Sequence, residues 1–152
     1  PHSVQKSKMK IKIRFANKKD CNKIYGLGKS TSDFTVSKHI KFYEKSEIKQ
    51  WIKERKSNII ILAEKDSNII GFMYCKIMSN HWAYIDNFYV IRKFRDQDIG
   101  SKMLDLLIKK LKMKGVSYVT LLVKSKDQIT RKFFKNKRFK EHNRYVWIDK
   151  LL

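Results

Sequence analysis

Three apolar runs follow one another in the middle of the chain, and they constrain its fold more than any other feature. Each run is rich in β-branched and aromatic residues, a composition typical of strands rather than helices. The first two are joined through Asp66, Ser67 and Asn68, a short polar link that indicates a tight hairpin. The sequence therefore predicts an antiparallel meander of three strands. They are NIIILAEK (58–65), NIIGFMYCKIMS (68–79) and WAYIDNFYVI (82–91).

The segment before the meander predicts one strand and two helices. IKIRFA (11–16) alternates apolar and basic residues, as a half-buried strand does. After it, Asn17 is placed to cap a helix that has Asp20 at its third position. SEIKQWIKERK (46–56) predicts a second helix, with Ser46 as its cap. Residues 31–45 have no clean period, and we interpret them as a loop with a short helix.

The segment after the meander alternates helices and strands. We predict a helix from about 99 to 114, which ends at Gly115 in a left-handed cap. Taken together, the elements predict an α/β (α+β) fold, a mixed and mostly antiparallel sheet flanked by helices. The later predicted elements are strand 117–124, helix 126–137 and a last strand 144–152.

The length of 152 residues predicts a single domain, which we place at 9–152. Residues 1–8 precede a methionine that opens a sensible native start, so we interpret them as a remnant of an expression vector or as disordered. No run of 18 apolar residues and no signal-peptide core is present. The sequence thus predicts a cytoplasmic protein that does not bind membranes.

The chain is strongly basic, with 36 Lys and Arg against 14 Asp and Glu and a formal net charge of +22. Such a field attracts anions, including nucleic acids, acidic surfaces and phosphorylated cosubstrates. The cations are spread along the chain instead of forming one basic arm. Charge alone therefore does not decide the function.

Cysteine and histidine positions indicate no metal site. Cys21 and Cys75 form neither a CxxC pair nor a ligand cluster with histidines. We interpret both as buried, reduced thiols.

The loop after the third run is a candidate anion site. A helix that begins directly after a strand leaves its first N–H groups unpaired, and these favour anions together with the helix dipole. Gly100 would let a phosphate approach the backbone closely. A loop with one glycine among charged residues is more often a solvated turn than a cofactor site, so this feature alone is not diagnostic.

The wider sequence around this loop carries a family resemblance. VIRKFRDQDIGSKML (90–104) resembles the acetyl-CoA pyrophosphate loop of the GNAT N-acetyltransferase superfamily. In that loop an Arg or Gln is followed after two residues by Gly, then by any residue and by Gly or Ala. Arg95, Asp98 and Gly100 fall on these three positions. The resemblance implies acetyl-CoA as cosubstrate and direct transfer of its acetyl group to a primary amine.

Other segments extend the resemblance over residues 11–152 in element order. YIDNFYV resembles the fourth strand of the family, FFKNKRF a segment near its C-terminus, and YVWIDKLL its last strand. The resemblance implies a GNAT-like sheet that is splayed at this fourth strand. It also implies that the cosubstrate contacts the strand, the loop, the start of the next helix and the C-terminal segment. These cosubstrate-binding residues are Phe88, Tyr89, Val90, Arg95, Asp96, Gln97, Asp98, Ile99, Gly100, Ser101, Lys102, Asp127, Phe133 and Phe134.

Several of these positions depart from the family pattern. Asp98 stands where the family has glycine, and we predict that its side chain turns outward and pairs with Lys102, four residues on. Phe134 stands where many members carry a tyrosine that acts as general acid. For Phe133 and Phe134, packing in the core beside the helix is at least as good an explanation as contact with the cosubstrate. Tyr89 and Tyr145 are alternative phenols, so the group that protonates the leaving thiolate is not assigned.

Asp86 is the candidate general base. An amine must be neutral to attack a thioester, so a nearby group has to accept its proton. Asp86 matches the carboxylate base of some polyamine-type family members, and a buried or partly buried carboxyl group has a raised pKa that suits this task. The alternative is an ordinary polar residue on a strand.

The function we favour is an acetyl-CoA-dependent N-acetyltransferase, acting as a monomer or homodimer. Its acceptor could be a protein N-terminus, a lysine side chain, a polyamine or a small amine. The positive field disfavours a strongly cationic polyamine unless acidic residues gather at the acceptor site, the candidates being Asp20, Asp33, Glu44, Glu47 and Asp86.

One alternative is a catalytically weak module of the same fold that binds nucleic acid or an acidic partner through basic and aromatic residues such as Trp82 and Tyr84. Another is an unrelated α/β protein whose loop mimics the motif.

Overall fold

The computed structural model describes residues 10–35, 37–40 and 42–152. They divide into two compact units, with the boundary between Thr120 and Leu121. The interpretation of residues 1–8 falls outside the described residues.

The described chain contains five strands and four α-helices. The strands are β1 (Lys12–Phe15), β2 (Asn58–Lys65), β3 (Asn68–Ile77), β4 (Trp82–Val90) and β5 (Tyr118–Leu121). The helices are α1 (Cys21–Lys29), α2 (Lys45–Lys53), α3 (Ile99–Met113) and α4 (Gln128–Asn136). Short 3-10 turns at Lys18–Asp20 and Arg92–Phe94 precede α1 and α3.

The strands form one sheet in the order β1-β2-β3-β4-β5. The first four strands pair antiparallel with their neighbours, which confirms the predicted meander. Asp66 and Ser67 join β2 to β3 with φ angles of 51° and 63°, the left-handed conformation of a two-residue hairpin turn. Because α3 crosses over between the adjacent strands β4 and β5, the sheet is mixed, as the sequence predicted.

Helices of the first unit cover both faces of the sheet. Ile24 of α1 and Ile48 of α2 pack in one buried cluster with Phe72 and Tyr74 of β3. The opposite face meets α3, since a side chain on Gly71 would lie 3.0 Å from the Met103 sulfur and consecutive strand residues face opposite sides. The sheet is thus the middle of three layers.

The predicted cap at Asn17 forms, but on the 3-10 turn that leads into α1, and the predicted end of α3 is confirmed. The side chain of Asn17 accepts from the backbone of Lys19, and that of Asp20 accepts from the backbone N–H of Asn17. At the end of α3, Gly115 has φ 77°. There the N–H groups of Gly115 and Val116 bond to the carbonyls of Lys112 and Leu111, the pattern of a Schellman cap.

The predicted N-cap of the second helix is wrong by two residues. Glu44, not Ser46, is the N-cap of α2. The reason is that Glu47 accepts the Glu44 N–H at 2.8 Å, which fixes the first turn around these two residues.

The predicted last strand is also wrong. No strand forms within residues 139–152, and large apolar side chains there, such as Val146, Ile148 and Leu152, are exposed. An alternating pattern gives a segment the capacity to pair, but a strand forms only where a partner edge is available. The strand predicted at 117–124 is limited to Tyr118–Leu121.

The second unit has α4 as its regular element. Phe134 is buried there, with its ring centroid 5.1 Å from those of Phe133 and Phe139. The Asp127 carboxylate accepts from the backbone N–H of Thr130 and so caps the helix.

Both cysteines are free and buried, as predicted. Burial raises the pKa of the Cys75 thiol to about 12, which keeps it protonated near neutral pH. Among the described residues, no helix has the length and apolar character that crossing a membrane requires.

Candidate active site

The candidate site begins at an irregularity in β4. Tyr74 of β3 pairs with Asn87, whereas the next residue, Cys75, pairs with Ile85. Asp86 is therefore an extra residue in the ladder, a β-bulge. Bulges bend a strand and redirect a side chain, and they are common beside active sites.

The bulge leaves the Asp86 carboxylate accessible. Asp86 is exposed, while Ala83 and Ile85 before it and Val90 after it are buried. The buried or partly buried environment expected for a general base is therefore not found at Asp86. A proton acceptor here would be accessible to solvent.

One tyrosine contacts this carboxylate. The hydroxyl of Tyr43 donates a hydrogen bond to Oδ2 of Asp86, across 43 positions of sequence. Burial raises the pKa of Tyr43, and the negative charge of Asp86 raises it further. The phenol therefore remains protonated and is a donor to the carboxylate at any physiological pH.

Aromatic rings hold Tyr43 in place. Its ring meets that of Trp51 edge-on at 4.8 Å and that of Phe42 at 4.9 Å. Trp51 in turn stacks on Tyr74 at 4.2 Å, whose hydroxyl donates to Asn58 at 2.6 Å. Such packed aromatic pairs have few alternative rotamers, so the position of the Tyr43 hydroxyl is well defined.

Negative charge is concentrated near these rings. Burial raises the pKa of Tyr74, and the carboxylates of Asp86, Glu47 and Glu54 raise it further. Three of the 14 acidic side chains of the chain thus lie near Tyr74. Asp20 and Asp33, also considered for the acceptor site, instead meet Arg14 at 2.7 Å and Arg92 at 3.9 Å.

The loop after β4 has two left-handed residues. Asp96 has φ 65° and Asp98 has φ 59°. Asp98 directly precedes the helical residue Ile99, and such a left-handed and right-handed pair turns successive N–H groups toward one side. The left-handed conformation explains why glycine suits this position and why aspartate, which tolerates it, can replace glycine.

The start of α3 supplies further donors. Its first internal hydrogen bond runs from the Lys102 N–H to the Asp98 carbonyl at 3.0 Å. The N–H groups of Ile99, Gly100 and Ser101 precede that bond and have no acceptor within the helix. Ile99 is buried, Gly100 and Ser101 are half-buried and Lys102 is exposed, so the helix end is anchored by Ile99 and opens to solvent.

The predicted pairing of Asp98 with Lys102 is wrong. Among the ion pairs of the described chain, none joins these two side chains. A residue at the cap position with φ 59° lies outside the helical geometry that brings positions four apart together.

Arg95 folds back onto the end of β4. Its Nε donates to the Val90 carbonyl at 2.7 Å, and its guanidinium lies 5.5 Å from the centre of the Tyr89 ring. Further cations lie nearby, since Lys65 and Lys93 both approach the Phe94 ring. The loop is therefore an electropositive region with backbone donors, which suits a phosphate group.

The predicted site residues fall into three groups. Phe88, Tyr89 and Val90 end β4, Arg95 to Asp98 lie in the loop, and Ile99 to Lys102 begin α3, so this first group follows closely along the chain. Asp86 lies four residues before Val90, or about 13 Å along an extended strand. Asp127, Phe133 and Phe134 belong to the second unit, with the capping and core roles described above, and their binding role stays a prediction.

Sequence reasoning missed Tyr43. It lies in the segment 31–45 that showed no clean period, and nothing local distinguishes it from its neighbour Phe42. The contact with Asp86 depends on the tertiary fold.

The model of the Acetyltransferase (GNAT) family matches residues 15–139. Comparison with curated protein sequences gave no significant match.

Solved structures of similar fold were found. A PaiA N-acetyltransferase from Thermoplasma acidophilum in complex with coenzyme A has a TM-score of 0.73 and 22% identity, over 85% of this chain and 89% of that one. An aminoglycoside acetyltransferase from an uncultured soil metagenomic sample has a TM-score of 0.77 and 17% identity, over 93% and 96%. The aminoglycoside N-acetyltransferase AAC(6')-Iy in complex with CoA has a TM-score of 0.73 and 19% identity, over 93% and 100%. At these identities the likeness concerns the fold.

Proposed function

The chain belongs to the GNAT acetyltransferase family, and from this premise we propose that it transfers the acetyl group of acetyl-CoA directly to a primary amine. The observation that carries the proposal is the arrangement along β4, where Asp86 presents an accessible carboxylate and the strand ends in a donor-rich basic loop. The family match and the related folds give no support to the alternative of a nucleic-acid-binding module.

The loop end of β4 suits the phosphates of the cosubstrate. The N–H groups of Ile99, Gly100 and Ser101 would donate to the pyrophosphate, and Lys102 would add a positive charge. Donors fixed in a helix N-terminus bind anions without rearranging. The backbone of Phe88 to Val90 would hold the arm that leads to the thioester.

The bulge end of β4 suits the acceptor amine. In this proposal the carboxylate of Asp86 takes a proton from the ammonium form of the acceptor, directly or through one water. The nitrogen lone pair then forms a bond to the thioester carbonyl carbon, and the carbon–sulfur bond breaks. The nitrogen gives up its second proton as the acetamide forms, and the departing CoA thiolate takes up one proton to give the thiol.

Binding of the cosubstrate is tested by calorimetric titration of the protein with acetyl-CoA, with desulfo-CoA and ATP as controls. ATP is included because a chain with a net charge of +22 attracts any polyphosphate. Tight binding that prefers the CoA compounds supports the assignment. Affinity for acetyl-CoA no greater than that for ATP would make the loop a general anion site and would remove the basis for the proposal.

The role of Asp86 is tested by Asp86→Asn. Because the amide cannot accept the proton, we expect kcat to fall by about 10²-fold to 10⁴-fold, with little change in affinity for acetyl-CoA. The assay is release of free thiol from acetyl-CoA with a panel of primary amines, among them an aminoglycoside, a polyamine and a lysine-containing peptide. An undiminished rate in the variant would exclude Asp86 as the base.

A further inference from the structure

Asp86 and Tyr43 form a pair that joins two layers of the first unit. Tyr43 lies two residues before α2, and Asp86 is the bulge residue of β4 in the sheet. Their hydrogen bond uses Oδ2 of the carboxylate. The bond therefore links the exposed side chain of Asp86 to the aromatic rings that pack around Tyr43.

The contact restricts a carboxylate that would otherwise rotate. An exposed aspartate on a bulge has no packing that selects one side-chain rotamer. The Tyr43 hydroxyl, fixed by the ring contacts with Phe42 and Trp51, selects one orientation of the Asp86 carboxylate. With Oδ2 engaged by the phenol, Oδ1 is the oxygen left to face the amine.

Proton transfer depends steeply on this kind of alignment. A displacement of about 1 Å in a catalytic group is enough to lower a rate by about 10²-fold. Tyr43 does not itself have to exchange a proton for this effect, since its phenol stays protonated.

We propose that Tyr43 is the positioning residue for Asp86, holding its carboxylate in the orientation in which Oδ1 accepts the proton of the acceptor amine. This inference rests on the proposed function, because it presumes that Asp86 acts as the base.

The test is Tyr43→Phe, which removes the hydroxyl and keeps the ring. We expect kcat to fall about tenfold to a hundredfold, while KM for acetyl-CoA and the thermal unfolding midpoint stay as in the parent protein. Tyr25→Phe is the matched control. It removes a phenol that packs against the same buried cluster but to which no role at Asp86 is assigned, and it is expected to leave kcat unchanged.

A double-variant cycle separates positioning from general structural damage. If Tyr43 acts only through Asp86, Tyr43→Phe added to Asp86→Asn slows the reaction no further than Asp86→Asn alone. Independent, multiplying effects of the two changes would overturn the proposal. So would a kcat unchanged in Tyr43→Phe.

The outcomes also separate this inference from the proposed function. A slow Asp86→Asn with a normal Tyr43→Phe refutes positioning and leaves the proposed base in place. A normal rate in Asp86→Asn refutes both, whatever Tyr43→Phe does.

Discussion

Asp98 allows a quantitative test of whether the loop binds the pyrophosphate, because its backbone conformation and its charge affect two different measured quantities. Its φ of 59° lies in the left-handed region, which costs L-residues about 1–2 kcal/mol and glycine nothing, with Asp and Asn among the most tolerant. Its exposed carboxylate lies next to the N–H groups proposed to hold the pyrophosphate. The backbone term affects stability, whereas the charge affects cosubstrate affinity.

The repulsion between the Asp98 carboxylate and the phosphates of the cosubstrate follows from Coulomb's law. Two phosphate charges about 7 Å from a carboxylate, at the dielectric constant of water, repel it by about 1 kcal/mol in total before screening by salt. Asp98→Asn removes this charge and tolerates the same left-handed conformation. We therefore expect acetyl-CoA to bind Asp98→Asn about fivefold more tightly at low salt, with the gain shrinking as salt is added.

Asp98→Gly separates the backbone term. It should show the same gain in acetyl-CoA affinity as Asp98→Asn, and in addition be more stable than Asp98→Asn by about 0.5–1 kcal/mol. Calorimetric titrations with acetyl-CoA at two salt concentrations, together with urea unfolding, measure both quantities. Equal affinity of Asp98→Asn and the parent protein at low salt would mean that the phosphates do not bind near this loop, and the reasoning would fail.

Two further predictions concern the stability of the first unit. Hydrogen bonds from Arg14, at 2.7 and 2.8 Å, are the main reason that the pKa of the Asp20 carboxyl is lowered. Its stabilising effect is therefore complete above the unfolded pKa of about 3.9 and is lost as the pH falls through the lower folded value. Asp20→Asn should cost about 2 kcal/mol at pH 7 and should flatten the acid side of a plot of unfolding midpoint against pH, whereas an unchanged acid side would contradict the assignment. Leu107 of α3 is fully buried, so Leu107→Ala should cost about 3–4 kcal/mol in urea unfolding. A loss below 1 kcal/mol would mean that α3 is not packed as described.

Local signals in the sequence were sufficient for most of the first unit. Asp66 and Ser67 formed the expected hairpin, Asn17 and Asp20 formed the expected cap, and Gly115 ended α3 as expected. Each of these features is determined by residues within a few positions of one another, so a sequence window contains the information. The order of the elements was enough to predict the class of fold.

Features that depend on residues distant in the sequence could not be predicted from such local signals. The bulge at Asp86 has no local signature, because it is defined by the pairing of β4 with β3. The contact between Tyr43 and Asp86 spans 43 positions. Segment 144–152 has the alternation of a strand, yet pairing needs a partner edge that the pattern itself does not specify. The left-handed backbone of Asp98, which replaced the expected pair with Lys102, is likewise a property of the whole loop.

The bulge in β4 has a consequence for laboratory evolution. Deleting the codon for Asp86 would bring Ile85 and Asn87 side by side and restore an uninterrupted ladder with Cys75 and Tyr74. We expect such a variant to fold readily, since a regular ladder is the simpler structure, but to lack the carboxylate. A library sorted for folded protein would tolerate this deletion, and the same library sorted for turnover would discard it. Comparing the two sorted libraries therefore separates the structural role of this position from its catalytic role.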